Sequence, residues 1–298
     1  MKVSILIPAY KAGTYIAAAL QSVREQTHAD WEVIVVEDGS QDTTEAVVAD
    51  FARSTPQPVT YRNLGHNYGV GTARNRLLEL ATGEAVAFLD ADDTWEASHL
   101  ALGVEKLCSG ADLVVSGVTT VDLSSGTTRD PIHVPSALVV EPTLTLFEVS
   151  AIITSSSVVL RKALAERTGQ FDTTLRIGED RDYWLRCALE GGRFASTDTF
   201  TCNYTKHEGS SMARTYLVAE CEVRFYEKYR ALSEVPRPTR RRLLAKSLIS
   251  FGRLLRKRDP VRSTACFWRA WHTEPLSPQI LLHLAFSRWR THGVQKIA

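Results

Sequence analysis

The sequence predicts an α/β fold, a mostly parallel sheet flanked by helices, with a basic helical extension at its end. Two observations predict it. Short apolar runs alternate with amphipathic stretches through the first hundred residues, and the charge reverses sign near residues 210–235. Residues 1–223 carry 18 Lys and Arg against 30 Asp and Glu, whereas residues 224–298 carry 17 against 4. An acidic body (net −12) and a basic tail (net +13) indicate two separate roles.

The first hundred residues justify the parallel sheet. Three short apolar runs predict buried strands at 3–7, 31–36 and 85–89, and residues 59–63 predict a weaker strand before the last of these. Amphipathic stretches predict the helices between and after them, at 14–26, 42–53 and 70–81. We expect the first strand to stop at Pro8, which has no N–H to donate. Strands that alternate with helices through short loops form parallel sheets, and ligands lie beyond the carboxyl ends of their strands.

The second half is less regular. We predict strands at 113–115, 118–121 and 157–160, a loop or hairpin through 124–126, and helices at 161–168 and 179–189. Helices at 236–258, 260–272 and 278–290 complete the chain, and the first of them has nine Lys and Arg and no acid. Its apolar face carries Leu244, Leu248, Phe251 and Leu255. The predicted domains are 1–212, with halves at about 1–110 and 111–212, and a basic helical region at 213–298.

Composition excludes several classes of protein. With 298 residues, 44% hydrophobic and 23% charged, the chain has enough apolar material for a core and is neither disordered nor collagen-like. No apolar run approaches the roughly 20 residues that span a bilayer. The start is a poor signal peptide because Pro8 interrupts its apolar segment, so we expect a cytoplasmic protein. The five cysteines are scattered without a C-x-x-C pair, which favours buried thiols over disulfides or zinc.

The run Asp90-Ala91-Asp92-Asp93 is the central candidate site. Three carboxylates in four residues repel one another unless a cation or hydrogen-bond donors hold them. Mg²⁺ or Mn²⁺ prefers oxygen ligands and shares them with substrate phosphates. The alternative is that these acids cap a helix beginning near Glu96.

Three further segments carry chemistry-capable groups. In Asn67-x-Gly69-x-x-x-Ala73-Arg74-Asn75, glycines bring backbone near a helix start, where N–H groups meet an anion and Arg74 reaches a phosphate. The alternative is an ordinary loop with a surface arginine.

In Gly178-Glu179-Asp180-Arg181-Asp182, one carboxylate accepts a proton from an attacking hydroxyl, or the acids simply favour the helix dipole. Tyr183 and Trp184 follow, as sugar-binding aromatics or as core. His207, in a Gly/Ser-rich loop, is either a ligand or a plain surface or core residue.

Taken together, these segments resemble the family 2 glycosyltransferases. The matching runs are Ser4 to Tyr10, Val35 to Ser40, Asn67 to Asn75, Phe88 to Asp93 and Gly178 to Asp180, and their order and spacing agree over about residues 1–210. The resemblance implies a GT-A fold and transfer of a sugar, with inversion, from a nucleotide-diphosphate sugar in which the nucleotide is UDP. It also implies that the acceptor is a hydroxyl of a glycan or of a lipid-linked molecule, in the synthesis of a cell-surface polysaccharide. The Q-x-x-R-W motif and the membrane helices of processive synthases are missing, which favours addition of a single sugar.

The resemblance also implies residue roles. Asp180 is similar to the catalytic base, with Glu179 beside it positioning the acceptor. Asp92 and His207 are similar to ligands of a divalent metal, Mn²⁺ or Mg²⁺. The nucleotide sugar is implied to contact nine residues: Pro8, Ala9, Tyr10, Asp38, Asn67, Gly69, Arg74, Asp90 and Ala91.

Two other functions compete with this interpretation. A sugar nucleotidyltransferase also uses a parallel sheet and carboxylate-bound Mg²⁺, but would have a glycine-rich basic loop where Pro8 to Gly13 stands. The basic tail is compatible with nucleic-acid binding, although its charges lie opposite an apolar stripe without interleaved exposed aromatics, so we expect no nucleic acid. For residues 236–258 we expect binding to an anionic membrane surface, which would make the enzyme peripheral at the inner face of the plasma membrane. The alternative is a solvated helical face whose apolar side packs on the catalytic domain.

Overall fold

A computed structural model of the chain describes residues 1–122, 125, 127–128, 131–149, 153–207 and 215–275. The chain divides into two compact units, Met1–Ser210 and Ser211–Ala298. The predicted helix at 278–290 lies outside the described residues.

Within the described residues of the first unit, nine strands form one sheet. Their bounds are β1 Val3–Ala9, β2 Trp31–Glu37, β3 Val59–Asn63, β4 Ala85–Phe88, β5 Thr94–Trp95, β6 Leu113–Asp122, β7 Thr127–Thr128, β8 Val158–Arg161 and β9 Phe194–Lys206. The strand order is β3-β2-β1-β4-β8-β6-β9-β5, and β7 pairs with β6. The predicted strands at 113–115 and 118–121 are one strand, and the hairpin partner of β6 is β7.

Helices cover this sheet and make up the described part of the second unit. In the first unit they are α1 Ile16–Arg24, α2 Thr44–Arg53, α3 Val70–Leu80, α4 His99–Cys108, α5 Ser136–Val140, α6 Pro142–Glu148, α7 Lys162–Thr168 and α8 Glu179–Leu189, with a 3-10 helix at Ser155–Ser157. In the second unit they are α9 Thr215–Lys228, α10 Arg237–Leu255 and α11 Pro260–Thr273. None of the helices in the described ranges is long and apolar enough to cross a bilayer.

The direction of each strand decides which segments meet at the edge of the sheet where β1 and β4 end. The pairs β1–β2, β2–β3 and β1–β4 are parallel, as predicted. Strand β8 runs antiparallel to both β4 and β6, and β9 runs parallel to β6. The carboxyl end of β9 therefore lies at the same edge as those of β1 and β4, and so does the amino end of β8.

Strand β1 does not stop at Pro8 as predicted, but continues to Ala9. The β1–β4 ladder ends at Leu6, whose carbonyl accepts the Leu89 N–H at 3.0 Å. A strand repeats every two residues, so the backbone N–H positions of alternate residues point toward the same neighbouring strand. The N–H position of Pro8 therefore faces the β4 side, as that of Leu6 does. It lies beyond the end of the β1–β4 ladder, where a missing N–H costs no hydrogen bond.

The core lies on both faces of the parallel strands. On one face Val3, Ile5 and Ile7 pack with side chains of α1 and α2, and all three are fully buried. The other face holds an aromatic cluster in which Phe88 meets Phe171 and Trp184 edge-on, with ring centroids 5.6 Å apart in each pair. The second unit has its own core, in which Leu248, Phe251 and Phe267 are buried.

At the amino end of the strands, one carboxylate joins three segments. The Glu32 carboxylate accepts hydrogen bonds from Ser4 Oγ (2.6 Å), Lys2 Nζ (2.8 Å) and the Thr82 N–H (2.8 Å). Burial alone would raise the pKa of Glu32, but these hydrogen bonds outweigh it and lower the pKa from 4.5 to about 2.

This shift predicts an acid-sensitive contribution to stability. A carboxyl whose pKa is lowered by folding stabilises the fold above its unfolded pKa, and that contribution disappears as the pH falls toward the folded pKa. We expect Glu32→Gln to lower the free energy of unfolding at pH 7, and the difference from the unaltered protein to narrow by about 3 kcal/mol between pH 5 and pH 2. Urea unfolding at a series of pH values measures it. Glu105→Gln, at an exposed position of α4, is the control, and a pH-independent difference for Glu32→Gln would contradict the account.

Candidate active site

The acidic turn follows β4 and is held by its last carboxylate. Asp93 is 1% exposed; it accepts Ser156 Oγ at 2.6 Å and the Thr205 N–H at 2.8 Å. Ser156 Oγ also accepts the Asp90 N–H at 3.0 Å. Burial raises the pKa of Asp93 well above its ordinary range, and the charges of Asp92 and Asp90 add to that effect. Asp93 thus fixes the position of the turn. Asp90 and Asp92 remain partly exposed.

The helix-capping alternative for this turn is wrong. Helix α4 begins at His99 after Ser98, and Thr94–Trp95 form β5 in between. The carboxylates of the turn are therefore not used to cap a helix.

His207 lies beside Asp92, because β9 ends at Lys206 on this edge of the sheet. His207 Nε2 is 2.9 Å from Asp92 Oδ2, and the imidazole stacks on Tyr15 with ring centroids 4.7 Å apart. Burial raises the pKa of Asp92, and the negative charge of Asp90 raises it further. The hydrogen bond with His207 lowers the pKa and so opposes both effects.

This pair fits a divalent cation that shares its ligands with a substrate. No group of three or more His, Cys, Asp or Glu with metal-site geometry occurs within the described residues. Mg²⁺ in nucleotide enzymes is held by one or two carboxylates together with substrate phosphates, so a pair of protein ligands suffices. Asp92 offers one such carboxylate, Asp90 lies two residues before it in the turn, and the His207 imidazole lies 2.9 Å from Asp92.

Arg74 connects the acidic turn to helix α8. Its side chain is 4% exposed; Nη2 donates to Asp90 Oδ1 at 2.8 Å and Nη1 donates to Glu179 Oε1. The sequence predicts a phosphate-reaching arginine and an acceptor-positioning glutamate here, but in the structure the two side chains contact each other. Burial raises the pKa of Glu179 to about 7, with Arg74 acting against it and Asp180 adding to it.

Asp180 lies in the first turn of α8, after Gly178 in the left-handed conformation at φ +78°. Its Oδ1 accepts the Arg181 N–H at 2.7 Å. Burial raises the pKa of Asp180, Arg74 opposes that, and Asp90 adds to it. A partly exposed carboxylate with a raised pKa is suited to accept a proton. Tyr183 and Trp184 are fully buried, so the core interpretation is right and the sugar-binding one is wrong.

Tyr204 lies within electrostatic range of both acidic segments. Burial raises the pKa of Tyr204 to about 12, and the charges of Asp93, Asp92, Asp90 and Asp180 add to that effect in this order. A single phenol therefore lies in the field of both the acidic turn and Asp180. The two segments face one region of the first unit.

Residues at the ends of β1 and β2 form the other side of this edge. Asp38 is 3% exposed and accepts the N–H groups of Tyr68 and Gly69, each at 2.8 Å. Asp38 thereby fixes the loop that starts α3. Gly39 is required here, since its φ is +79° and an added Cβ would lie 2.4 Å from the His66 backbone.

The predicted nucleotide contacts differ in exposure. Pro8 and Ala9 are buried in β1, whereas Tyr10 is 47% exposed directly after it. Asn67 is exposed, Gly69 precedes α3, and Ala91 is 7% exposed. Of these, Tyr10 and Asn67 offer the most side-chain surface to a ligand.

Two residues of the site were not predicted. Ser156 and Thr205 position the acidic turn, but both are far from it along the chain, and a serine-rich run such as Ser155 to Ser157 has no distinguishing pattern. Only the topology, in which the amino end of β8 and the last residues of β9 meet this edge, brings them to Asp93.

The geometry belongs to a known class of fold. The structure superposes on that of S. aureus TarS 1-349 in complex with UDP-GlcNAc, with a TM-score of 0.67 and 20% identity over 97% of this chain and 87% of TarS 1-349. It also superposes on the mannosyltransferase PcManGT from Pyrobaculum calidifontis in complex with GDP-Man and Mn²⁺, with a TM-score of 0.60 and 19% identity over 96% of this chain and 84% of PcManGT. The fold is the GT-A fold of glycosyltransferases with a C-terminal helical extension.

Residues 4–169 match the model of glycosyl transferase family 2, and the chain belongs to that family. It is 32% identical over 192 residues to the putative teichuronic acid biosynthesis glycosyltransferase TuaG of Bacillus subtilis (strain 168), covering 63% of this chain and 73% of TuaG. The protein is therefore a glycosyltransferase, as the sequence predicts, and not a sugar nucleotidyltransferase.

Proposed function

We propose that the protein transfers one sugar from a UDP-sugar to a hydroxyl of a glycan or lipid-linked acceptor, with inversion, in the synthesis of a cell-surface polysaccharide. The observation that carries the proposal is the bridge from Asp90 through Arg74 to Glu179, because it ties the candidate base Asp180 to the candidate nucleotide turn. TuaG, which is named for teichuronic acid biosynthesis, supports the polysaccharide role. TarS with UDP-GlcNAc, which shares the fold, is consistent with a UDP-linked donor.

In this proposal the donor lies across the carboxyl ends of β1 and β4, where the order of strands reverses. Tyr10, Asn67 and the loop that Asp38 fixes contact the nucleoside, and Asp90 contacts the ribose. Pro8, Ala9, Gly69 and Ala91 contribute mainly backbone.

Asp92 and His207 would hold Mn²⁺ or Mg²⁺ together with the diphosphate. When bound there, a divalent cation offsets the negative charge that the leaving diphosphate acquires. PcManGT, which shares the fold and whose structure contains GDP-Man and Mn²⁺, supports the use of a divalent metal.

Asp180 acts as the general base. It takes the proton of the acceptor hydroxyl while the acceptor oxygen bonds to the anomeric carbon and the bond from that carbon to the diphosphate oxygen breaks. Because the attacking oxygen and the leaving oxygen lie on opposite faces of the sugar, the configuration inverts. The base and the diphosphate ligands must then come from separate segments, as Asp180 and Asp92 do.

Asp180→Asn tests the base. Asparagine keeps the size of the side chain and an oxygen for the Arg181 N–H but accepts no proton, so we expect kcat to fall about 10²- to 10⁴-fold while UDP affinity is retained. Initial rates with the donor found by screening UDP- and GDP-sugars, and calorimetry with UDP, measure the two quantities. Asp50→Asn, at an exposed position of α2, is the control. A normal kcat in Asp180→Asn would remove Asp180 from the role.

Asp92→Ala tests the metal. We expect Mn²⁺ to strengthen UDP binding to the unaltered protein and the variant to lose at least about tenfold of that enhancement. Isothermal calorimetry of UDP with Mn²⁺ and with a chelator measures it, with the exposed Glu105→Ala as control. Equal affinity with and without Mn²⁺ in the unaltered protein would count against a metal at Asp92.

We further propose that the second unit binds an anionic membrane surface at the inner face of the plasma membrane, where lipid-linked acceptors are found. Arg241, Lys246 and Lys257 are exposed on or just after α10, and α11 exposes Val261 (80%) and Trp268 (39%). Exposed cations and an exposed tryptophan in the same unit suit a lipid interface, and each Lys or Arg near an anionic leaflet gains about 1 kcal/mol.

Reversing two of these charges tests the membrane proposal. We expect Lys246→Glu with Lys257→Glu to lower partitioning onto vesicles containing phosphatidylserine by about 30-fold or more, since at least about 2 kcal/mol is lost. Flotation with neutral and anionic vesicles measures it. Arg53→Glu with Arg76→Glu, two exposed positions of the catalytic unit, makes the same change of charge as a control. Flotation that ignores anionic lipid content would contradict the proposal.

A further inference from the structure

The side chain of Arg74 joins two segments that are distant in sequence. From α3 its guanidinium donates to Asp90 in the turn after β4 and to Glu179 in the first turn of α8. Arginine suits this position because its planar fork makes two directed hydrogen bonds to two carboxylates, whereas a lysine ammonium is a point charge.

The surroundings of Arg74 hold it in place. Its Cζ lies 5.7 Å from the centroid of the Phe171 ring, a cation–π distance. The next residue, Asn75, donates to the Phe171 carbonyl at 3.1 Å and accepts the Phe171 N–H at 2.6 Å. Helix α3 is thus tied both to the segment that leads into α8 and to α8 itself.

Neither Arg74 nor Glu179 is available to a substrate. Their side chains are 4% and 6% exposed, and both guanidinium ends of Arg74 are taken by carboxylates. Asp180 follows Glu179 in the chain and, unlike Glu179, keeps part of its surface exposed. Because both side chains are almost fully buried, a direct contact of Arg74 with a phosphate, or of Glu179 with an acceptor, would require the segments around them to move.

We propose that Arg74 and Glu179 are positioning residues, which fix the first turn of α8 against the Asp90 turn so that the Asp180 carboxylate meets the acceptor hydroxyl at the correct distance. This inference rests on the proposed function, because it takes Asp180 as the base. Such alignment affects the chemical step more than binding, and a misplacement of about 1 Å costs roughly 100-fold in rate.

The test compares Arg74→Lys and Glu179→Gln, which retain side chains of similar length and polarity, with the double variant. We expect kcat to fall at least about 30-fold in each single variant, with the donor KM and the UDP dissociation constant within about threefold of the unaltered protein. The kcat of the double variant falls no further than that of the worse single variant, because both substitutions disrupt the same Arg74–Glu179 contact. Arg76→Gln, an exposed ion-pair position two residues along α3, keeps normal kinetics.

Two results would overturn the inference. A rise of tenfold or more in the UDP dissociation constant of Arg74→Lys, with normal kcat in Glu179→Gln, would make Arg74 a nucleotide ligand. Lower melting temperatures with unchanged kcat per folded molecule would make the pair merely structural.

Failure of the proposed function is distinguishable from failure of this inference. If the unaltered chain transfers no sugar from any donor in the screen, the proposed function fails first. The double-mutant cycle is then measured on the free energy of unfolding, where additive effects of Arg74→Lys and Glu179→Gln would show that the pair does not act as one unit.

Discussion

Mutual repulsion among carboxylates is the constraint on which the catalytic unit depends. Asp90, Asp92, Asp93, Glu179 and Asp180 lie at one edge of one sheet, and burial makes their charges costly unless donors compensate them. Each carboxylate has a hydrogen-bond partner that compensates its charge. Arg74 donates to both Asp90 and Glu179, and His207 contacts Asp92. The Ser156 hydroxyl and the Thr205 N–H donate to Asp93, and the Arg181 N–H donates to Asp180. The same contacts fix each acid in space, so the electrostatic requirement of folding also orders the site.

Strand direction explains why these groups meet. The first four strands are parallel, so Tyr10, Asp38 and Asp90 follow strands that all end at one edge. Because β8 is reversed, its amino end lies at the same edge, with Ser156 just before it. Strand β9, which is separated from β4 by β8 and β6, ends at this edge too and places His207 there. A site built from several strand ends needs no local sequence motif to hold it together.

The parts of the fold that could be predicted from sequence are those in which local pattern suffices. Apolar runs buried on both faces gave β1, β2 and β4, and the 3.6-residue stripe gave α10. The carboxyl end of β1 was wrong because the effect of Pro8 depends on where the ladder with β4 ends. For the site, the acidic turn and the Glu179-Asp180 pair were visible as motifs, but the contact of Arg74 with both was not, since it joins segments that only the tertiary fold brings together.

In the proposed mechanism, Asp92 and Asp180 serve one reaction centre, in which the diphosphate lies at Asp92 and the acceptor hydroxyl lies at Asp180. Anomalous diffraction at the manganese edge, from crystals of the protein with Mn²⁺ and a UDP-sugar, tests it most directly. We expect one manganese peak within bonding distance of Asp92 and His207, and the Asp180 carboxylate on the face of the sugar opposite the diphosphate. A manganese peak remote from Asp92, or a sugar bound away from Asp180, would contradict it.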